Sequence, residues 1–213
     1  MDVESEEAMD IKTVGVAGAG HMGSGIAQVF AQAGIPVQLY DVDRIPLSQA
    51  KRRIRASLDR FVKSGKLSVA ERDGALERIT FTEDLEDLAG PGFVLEAVVE
   101  DYDVKAELFR KLDRICPPQA VLAPTPAAIP MTRLAGKTRR PGKGVGMHFM
   151  NPAQVMPLVE IVRGLETDEV VYRFVEELAR RLGKEPVSVN DRPGFIANRI
   201  LMPMINEAIF AFE

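Results

Sequence analysis

Near its start the chain reads Val14-Gly15-Val16-Ala17-Gly18-Ala19-Gly20-His21-Met22-Gly23, an apolar β-like run that passes into a Gly-x-Gly-x-x-Gly turn. A helical pattern from Ser24 to Ala33 follows, and then a second apolar run, Val37-Gln38-Leu39-Tyr40, closed by Asp41. Strand, tight turn, helix and strand in this order constrain the fold more than the glycines alone, because they describe one unit of a parallel α/β sheet. Gly18 permits the turn, Gly20 lets a pyrophosphate approach the backbone, and Gly23 lets helix and strand pack closely, with the helix N-terminus facing the phosphates. Asp41 at the end of the second strand can accept hydrogen bonds from ribose hydroxyls and would repel a 2′-phosphate, so the turn is expected to bind NAD in preference to NADP. His21 and Met22, inside the turn, are grouped with Gly18, Gly20, Gly23 and Asp41 as cofactor-binding residues. The competing reading is a glycine turn in an α/β protein with nothing bound. Arg44, just past Asp41, either meets a 2′-phosphate or stands solvated.

With 213 residues and 46% apolar composition, the chain can bury one sizeable core, or one domain and part of another. Its net charge of −4 argues against nucleic acid as a main partner. No apolar run approaches the roughly 20 residues of a membrane span. Residues 1–10 are acidic and read as a flexible leader without a signal peptide. Cys116 is the only cysteine, and His21 and His148 are the only histidines, so neither an internal disulfide nor a metal site is expected. A reducing, cytoplasmic setting fits that cysteine usage.

Further β-like runs near 78–82, 93–98, 120–123, 144–149, 157–162 and 186–189, with helical patterns between most of them, predict a doubly wound, mainly parallel sheet of Rossmann type over 11–190. The helix near 45–64 carries Lys51, Arg52, Arg53, Arg55, Arg60 and Lys63. That basic face is either solvated surface or a landing place for a phosphorylated ligand. Ser68 and Glu71 form a capping-box signature, and Thr167-Asp168-Glu169 opens a helix that Gly183 stops. The turn Asn190-Asp191-Arg192-Pro193-Gly194 marks a boundary, with 191–213 as a linking helix rich in Ile, Leu, Met and Phe on more than one face. Such a helix either packs on its own domain or begins a helical domain, and exposed it would self-associate.

His148 ends one β-like run, and Glu160 lies in the next. A histidine whose second nitrogen is held by a carboxylate keeps one tautomer and can take a proton from an alcohol near neutral pH. A structural histidine and an outward-pairing glutamate are the alternative. Four segments then bear on the choice: Gly18 to Ala27, Leu95-Glu96-Ala97-Val98-Val99-Glu100, Gly146-Met147-His148-Phe149-Met150-Asn151-Pro152, and Pro193-Gly194-Phe195-Ile196-Ala197-Asn198-Arg199. Through them the chain, from about Ile11 to Glu213, resembles the L-3-hydroxyacyl-CoA dehydrogenase family, particularly its bacterial 3-hydroxybutyryl-CoA members. The resemblance covers that family's NAD-binding domain and the opening helix of its C-terminal helical domain, which mediates homodimerisation. It implies His148 as catalytic base, Glu160 as its partner, and Asn198 as an organiser of the active site. It implies cofactor contacts at Asp41, Ala97, Glu100, Lys105, Thr125 and Asn151, and acyl-CoA contacts at Ser57, at Lys63 or Lys66, and at position 127. The implied chemistry is reversible oxidation of a 3-hydroxyacyl-CoA.

One segment departs from the family pattern. Where the family typically reads Ser-Asn-Thr-Ser-Ser, this chain reads Pro124-Thr125-Pro126-Ala127-Ala128. Ala127 replaces the serine that hydrogen-bonds the reacting oxygen, and Thr125 replaces an asparagine near the nicotinamide. Losing one preorganised donor to a developing oxyanion costs about 3–4 kcal/mol. Pro124 and Pro126 also remove two backbone donors and restrict the residues before them. Three explanations stand: a natural relative of changed or weak activity, a deliberately altered sequence, or a hydroxyl supplied from elsewhere, with Thr125 and Thr132 as the candidates. NAD binding is expected to survive better than turnover, and a catalytically silent NAD- or acyl-CoA-binding protein on the same scaffold is the rival reading.

Overall fold

The computed structural model describes residues 11–212; the leader at 1–10 lies outside the described residues. Strands β1 (Val14–Ala17), β2 (Val37–Tyr40), β3 (Ile79–Thr82), β4 (Phe93–Glu96) and β5 (Val121–Pro124) form one wholly parallel sheet in the order β3-β2-β1-β4-β5. Helices α1 (His21–Gln32), α2 (Arg44–Lys63), α3 (Val69–Glu77) and α4 (Tyr102–Ile115) connect these strands. Side chains alternate across the sheet. Val16, Leu39, Phe93 and Leu95 pack with Ile26 and Phe30 of α1 and Ile54 and Leu58 of α2. Val94 and Leu122 face the other way, onto Leu108, Phe109 and Leu112 of α4. Helices on both faces and an unbroken parallel ladder make this the doubly wound Rossmann arrangement that the sequence predicts.

The remaining strands, β6 (Gly146–Phe149), β7 (Leu158–Arg163) and β8 (Glu185–Asn190), form a second sheet in which β6 and β7 are antiparallel and β7 and β8 parallel. One parallel bridge, Leu122 to Gly144, links the two sheets. The two prolines explain why pairing stops there. The amides of Val121 and Thr125 donate to Gly92 and Glu96 on the β4 side. Residues 122, 124 and 126 therefore present their backbone groups toward β6, and Pro124 and Pro126 have no N–H to offer. Helix α6 (Glu169–Arg181) covers this second sheet and shares the α1 side of the core through Val171, Val175 and Leu178.

Local chemistry sets the boundaries. Helix α1 begins at His21, three residues before the expected Ser24, because Gly20 takes the extended N-cap conformation. Ser68 and Glu71 make the reciprocal capping box at α3. Asp101 caps α4 through Asp103 and Val104. Gly183, with φ of 71°, ends the chain's run out of α6. Short helix α5 (Met131–Ala135) is capped from a distance, since the Asp191 carboxylate accepts from the amides of Met131 and Thr132 at 2.9 and 2.8 Å. Helix α7 (Ala197–Phe212) buries none of its residues. Among the described residues no helix is long and apolar enough to cross a membrane.

Candidate active site

Because β1, β2, β4 and β5 are parallel, their C-terminal ends deliver Gly18, Asp41, Ala97 and Thr125 to one edge of the sheet. The strand order reverses between β1 and β4, where a doubly wound sheet opens a crevice. There a cleft of about 750 Å³ is lined by Gly18, Gly20, Asp41, Pro46, Ala97 and Val104, among others. Gly18 has φ of +108°, and a Cβ on it would stand 2.5 Å from the Ala97 carbonyl oxygen. A Cβ on Gly23 would stand 1.8 Å from the Gly18 oxygen. Gly20 instead faces open space, with nothing within 4 Å of the position a Cβ would take. No side chain caps α1 there, so its first N–H groups remain available to an anion. The Asp41 carboxylate accepts from the Ala19 amide at 2.7 Å through one oxygen, and its other oxygen receives only a 3.3 Å contact from Asp43. Arg44 pairs with Glu83 at 3.1 Å and is otherwise solvated. These features fit a dinucleotide: an open glycine edge for the pyrophosphate, free helix donors, and a carboxylate oxygen at the ribose position.

His148 and Glu160 occupy directly opposite positions in the β6–β7 ladder, which puts His148 Nδ1 2.7 Å from Glu160 Oε2. Both side chains are buried, and the imidazole packs against the Phe195 ring at 5.5 Å between centroids. Glu160 has a second task. Its Oε1 accepts from the amides of Ile196 and Ala197, so one carboxylate orients the histidine and anchors the start of α7. Asn198, one residue further, places Nδ2 3.4 Å from the Ala127 carbonyl oxygen. Asn198 and position 127 are thereby brought together, as are His148 and Glu160.

Glu100 and Lys105 are placed beneath that loop. Lys105 is fully buried; its ammonium lies 2.7 and 2.9 Å from the two Glu96 oxygens and 3.2 Å from Glu100. Its charge is engaged by Glu96 and Glu100 inside the β4–α4 connection. Glu100 Oε1 accepts from the amides of Ala127, Ala128 and Ile129 at 2.9, 2.9 and 3.2 Å. Burial pushes its carboxyl upward, but the Ala128 amide, Lys105 and the other two amides outweigh that and leave it below the usual range. A lowered native value means that the stabilisation is complete above the unfolded carboxyl's range, about pH 4.3, and is lost as pH falls through the native value. Accordingly, the stability difference between the chain and Glu100→Gln, followed by urea unfolding, is expected to be constant near neutrality and to shrink in acid. A difference that grows in acid would contradict this role.

A second cleft of about 350 Å³ opens between α1, α2 and the Asn151–Gln154 loop. Ser57, His21 and Asn151 line it, together with Arg53, Arg60 and Gln154. Lys63 and Lys66 do not; both are exposed at and beyond the end of α2, and Lys66 stands 5.7 Å over the Phe61 ring. Arginines 53 and 60 flank Ser57 at i−4 and i+3, the spacing that shares a helix face, whereas Lys63 does not. That spacing is the signal by which the two arginines are found. Met22 is half-buried against the core. Thr132 Oγ1 accepts from the Leu165 amide at 3.2 Å. Thr125, partly buried at the end of β5, is the hydroxyl nearest in sequence to Ala127. The pairing of Glu96 with Lys105 and the contact of Gln154 with Ser57 emerge only from the packing.

The profile of a family described as "3-hydroxyacyl-CoA dehydrogenase, NAD binding domain" matches residues 13–192. The chain is 46% identical over 202 residues to a probable 3-hydroxybutyryl-CoA dehydrogenase of Bacillus subtilis, covering 95% of this chain and 70% of that protein. It is 47% identical over 205 residues to a 3-hydroxybutyryl-CoA dehydrogenase of Mycobacterium tuberculosis, covering 95% and 72%. The crystal structure of (S)-3-hydroxybutyryl-CoA dehydrogenase from Ralstonia eutropha superposes with a TM-score of 0.91 at 42% identity, covering 93% of this chain and 70% of that one.

Proposed function

Since the chain belongs to the 3-hydroxyacyl-CoA dehydrogenase family, with NAD as its cofactor, we propose that it interconverts a short-chain 3-hydroxyacyl-CoA and the 3-oxoacyl-CoA, at a rate reduced by Ala127. The observation that carries the reading is the 2.7 Å contact between His148 Nδ1 and Glu160 in a chain that carries a dinucleotide fold. With Nδ1 committed to the carboxylate, Nε2 is the atom that moves the proton. In oxidation it takes the proton of the 3-hydroxyl; in reduction the imidazolium returns one to the 3-oxo oxygen. Glu160 stabilises the imidazolium and fixes its ring. The cofactor, when bound, would accept the hydride as NAD in oxidation and supply it as NADH in reduction. The Gly18–Gly23 turn and Asp41 hold its adenosine diphosphate half, and Asn198 steadies the loop at position 127. The acyl-CoA is read into the second cleft, where Arg60 supplies positive charge beside Ser57.

The finer readings belong here as well. The chain is read as a cytoplasmic enzyme that divides near residue 190 into its NAD-binding part and a helical part. Homodimerisation through that helical part is supported by the exposure of Ile200, Met204, Ile205, Ile209 and Phe210 on α7. Calorimetric titration with NADH and with acetoacetyl-CoA, followed by mass-spectrometric detection of 3-hydroxybutyryl-CoA after mixing, tests the activity. Product formation supports the dehydrogenase; binding of both ligands without product favours the silent scaffold.

A further inference from the structure

The basic face of α2 contains one arginine whose donors are engaged by the glycine turn. Arg53 Nη2 donates to the Ala19 carbonyl at 2.7 Å, and Nε donates to Ser24 Oγ at 3.3 Å. Ser24 Oγ in turn donates to the carbonyls of Gly20 and His21 at 2.7 and 3.1 Å. On the other side of the turn, Asp41 accepts from the Ala19 amide at 2.7 Å. The Ala19 residue is thus gripped at both ends, by an acid from the end of β2 and a guanidinium from α2. A trans peptide is planar, so its N–H points opposite to its carbonyl. Fixing the Ala19 carbonyl on Arg53 therefore aims the Gly20 N–H away from α2, and Gly20 lines the cofactor cleft.

On the reading of this turn as the NAD site, we propose that Arg53 is a positioning residue for the cofactor's phosphates, acting through the Ala19–Gly20 peptide, and is not primarily an anion ligand of the second cleft. The guanidinium is suited to this because it offers donors in a fixed fork, reaching a carbonyl and a hydroxyl of the same turn at once. It also lines the second cleft. The alternative, that its charge serves a phosphate of the acyl-CoA, predicts a different ligand profile.

The profile is measured by titrating NADH, ADP-ribose and free coenzyme A into the chain and into Arg53→Met and Arg53→Lys, with thermal melting to verify folding. Arg53→Met is expected to weaken NADH and ADP-ribose equally, by about tenfold, with coenzyme A affinity unchanged. Arg53→Lys, which keeps the charge but loses the fork, should recover part of the loss; it carries the test alone if the methionine variant does not fold. Unchanged NADH affinity, or a loss confined to coenzyme A, overturns the positioning role while leaving the cofactor site intact. A parent chain that binds no NADH overturns the cofactor reading itself.

Discussion

Ala127→Ser is expected to raise acetoacetyl-CoA-dependent NADH oxidation by about a hundred- to a thousandfold, with NADH affinity unchanged. The backbone at this position is already organised: three successive amides converge on Glu100, and Asn198 approaches the Ala127 carbonyl. Ala127 is exposed, so a hydroxyl there meets no core packing. On the proposed reading, what the site lacks is a donor to the substrate oxygen as charge develops on it, and a donor placed in advance costs no reorganisation at the moment of reaction. Steady-state kinetics decide it. A variant no faster than the parent would transfer the blame from the missing hydroxyl to the path that Pro124 and Pro126 impose on the loop.

His148→Ala should lower the same turnover by about 10²–10⁴-fold and leave the NADH dissociation constant where it was, since the proton-transfer group is removed and the glycine turn is untouched. Glu160→Gln is a less selective probe. That carboxylate also receives the Ile196 and Ala197 amides, so its loss disturbs the start of α7 together with the imidazole. Activity of His148→Ala equal to that of the parent would remove the histidine from the proton-transfer role.

The parts of this site legible in the sequence are those written in contiguous residues. The Gly18–Gly23 turn, Asp41 at a strand end and the capping box at Ser68 each depend on short-range geometry, and each occurs in the structure at its expected place. His148 and Glu160 were legible as neighbours because two short consecutive strands had to pair, and pairing sets them opposite. The ion pairing of Lys105 is different in kind, since only the fold reveals that Glu96 and Glu100 enclose its ammonium. Lys63 and Lys66 stand at and beyond the end of α2, outside the lining of the second cleft, because the 3.6-residue period puts Arg53 and Arg60 on the face of Ser57. Pro124 and Pro126 were recognised as lost donors, but which neighbour loses them depends on strand order, which sequence alone did not supply. The split into two sheets was hidden for the same reason.

The central claim is that the cofactor half of the site is complete while the substrate-oxygen half works without its hydroxyl. It is tested most directly by the rate of NADH oxidation at saturating NADH and acetoacetyl-CoA, with His148→Ala as the baseline. The account predicts NADH binding together with a slow, enzyme-proportional rate that exceeds the baseline. NADH binding with a rate indistinguishable from His148→Ala would contradict it and leave a scaffold that binds without reacting.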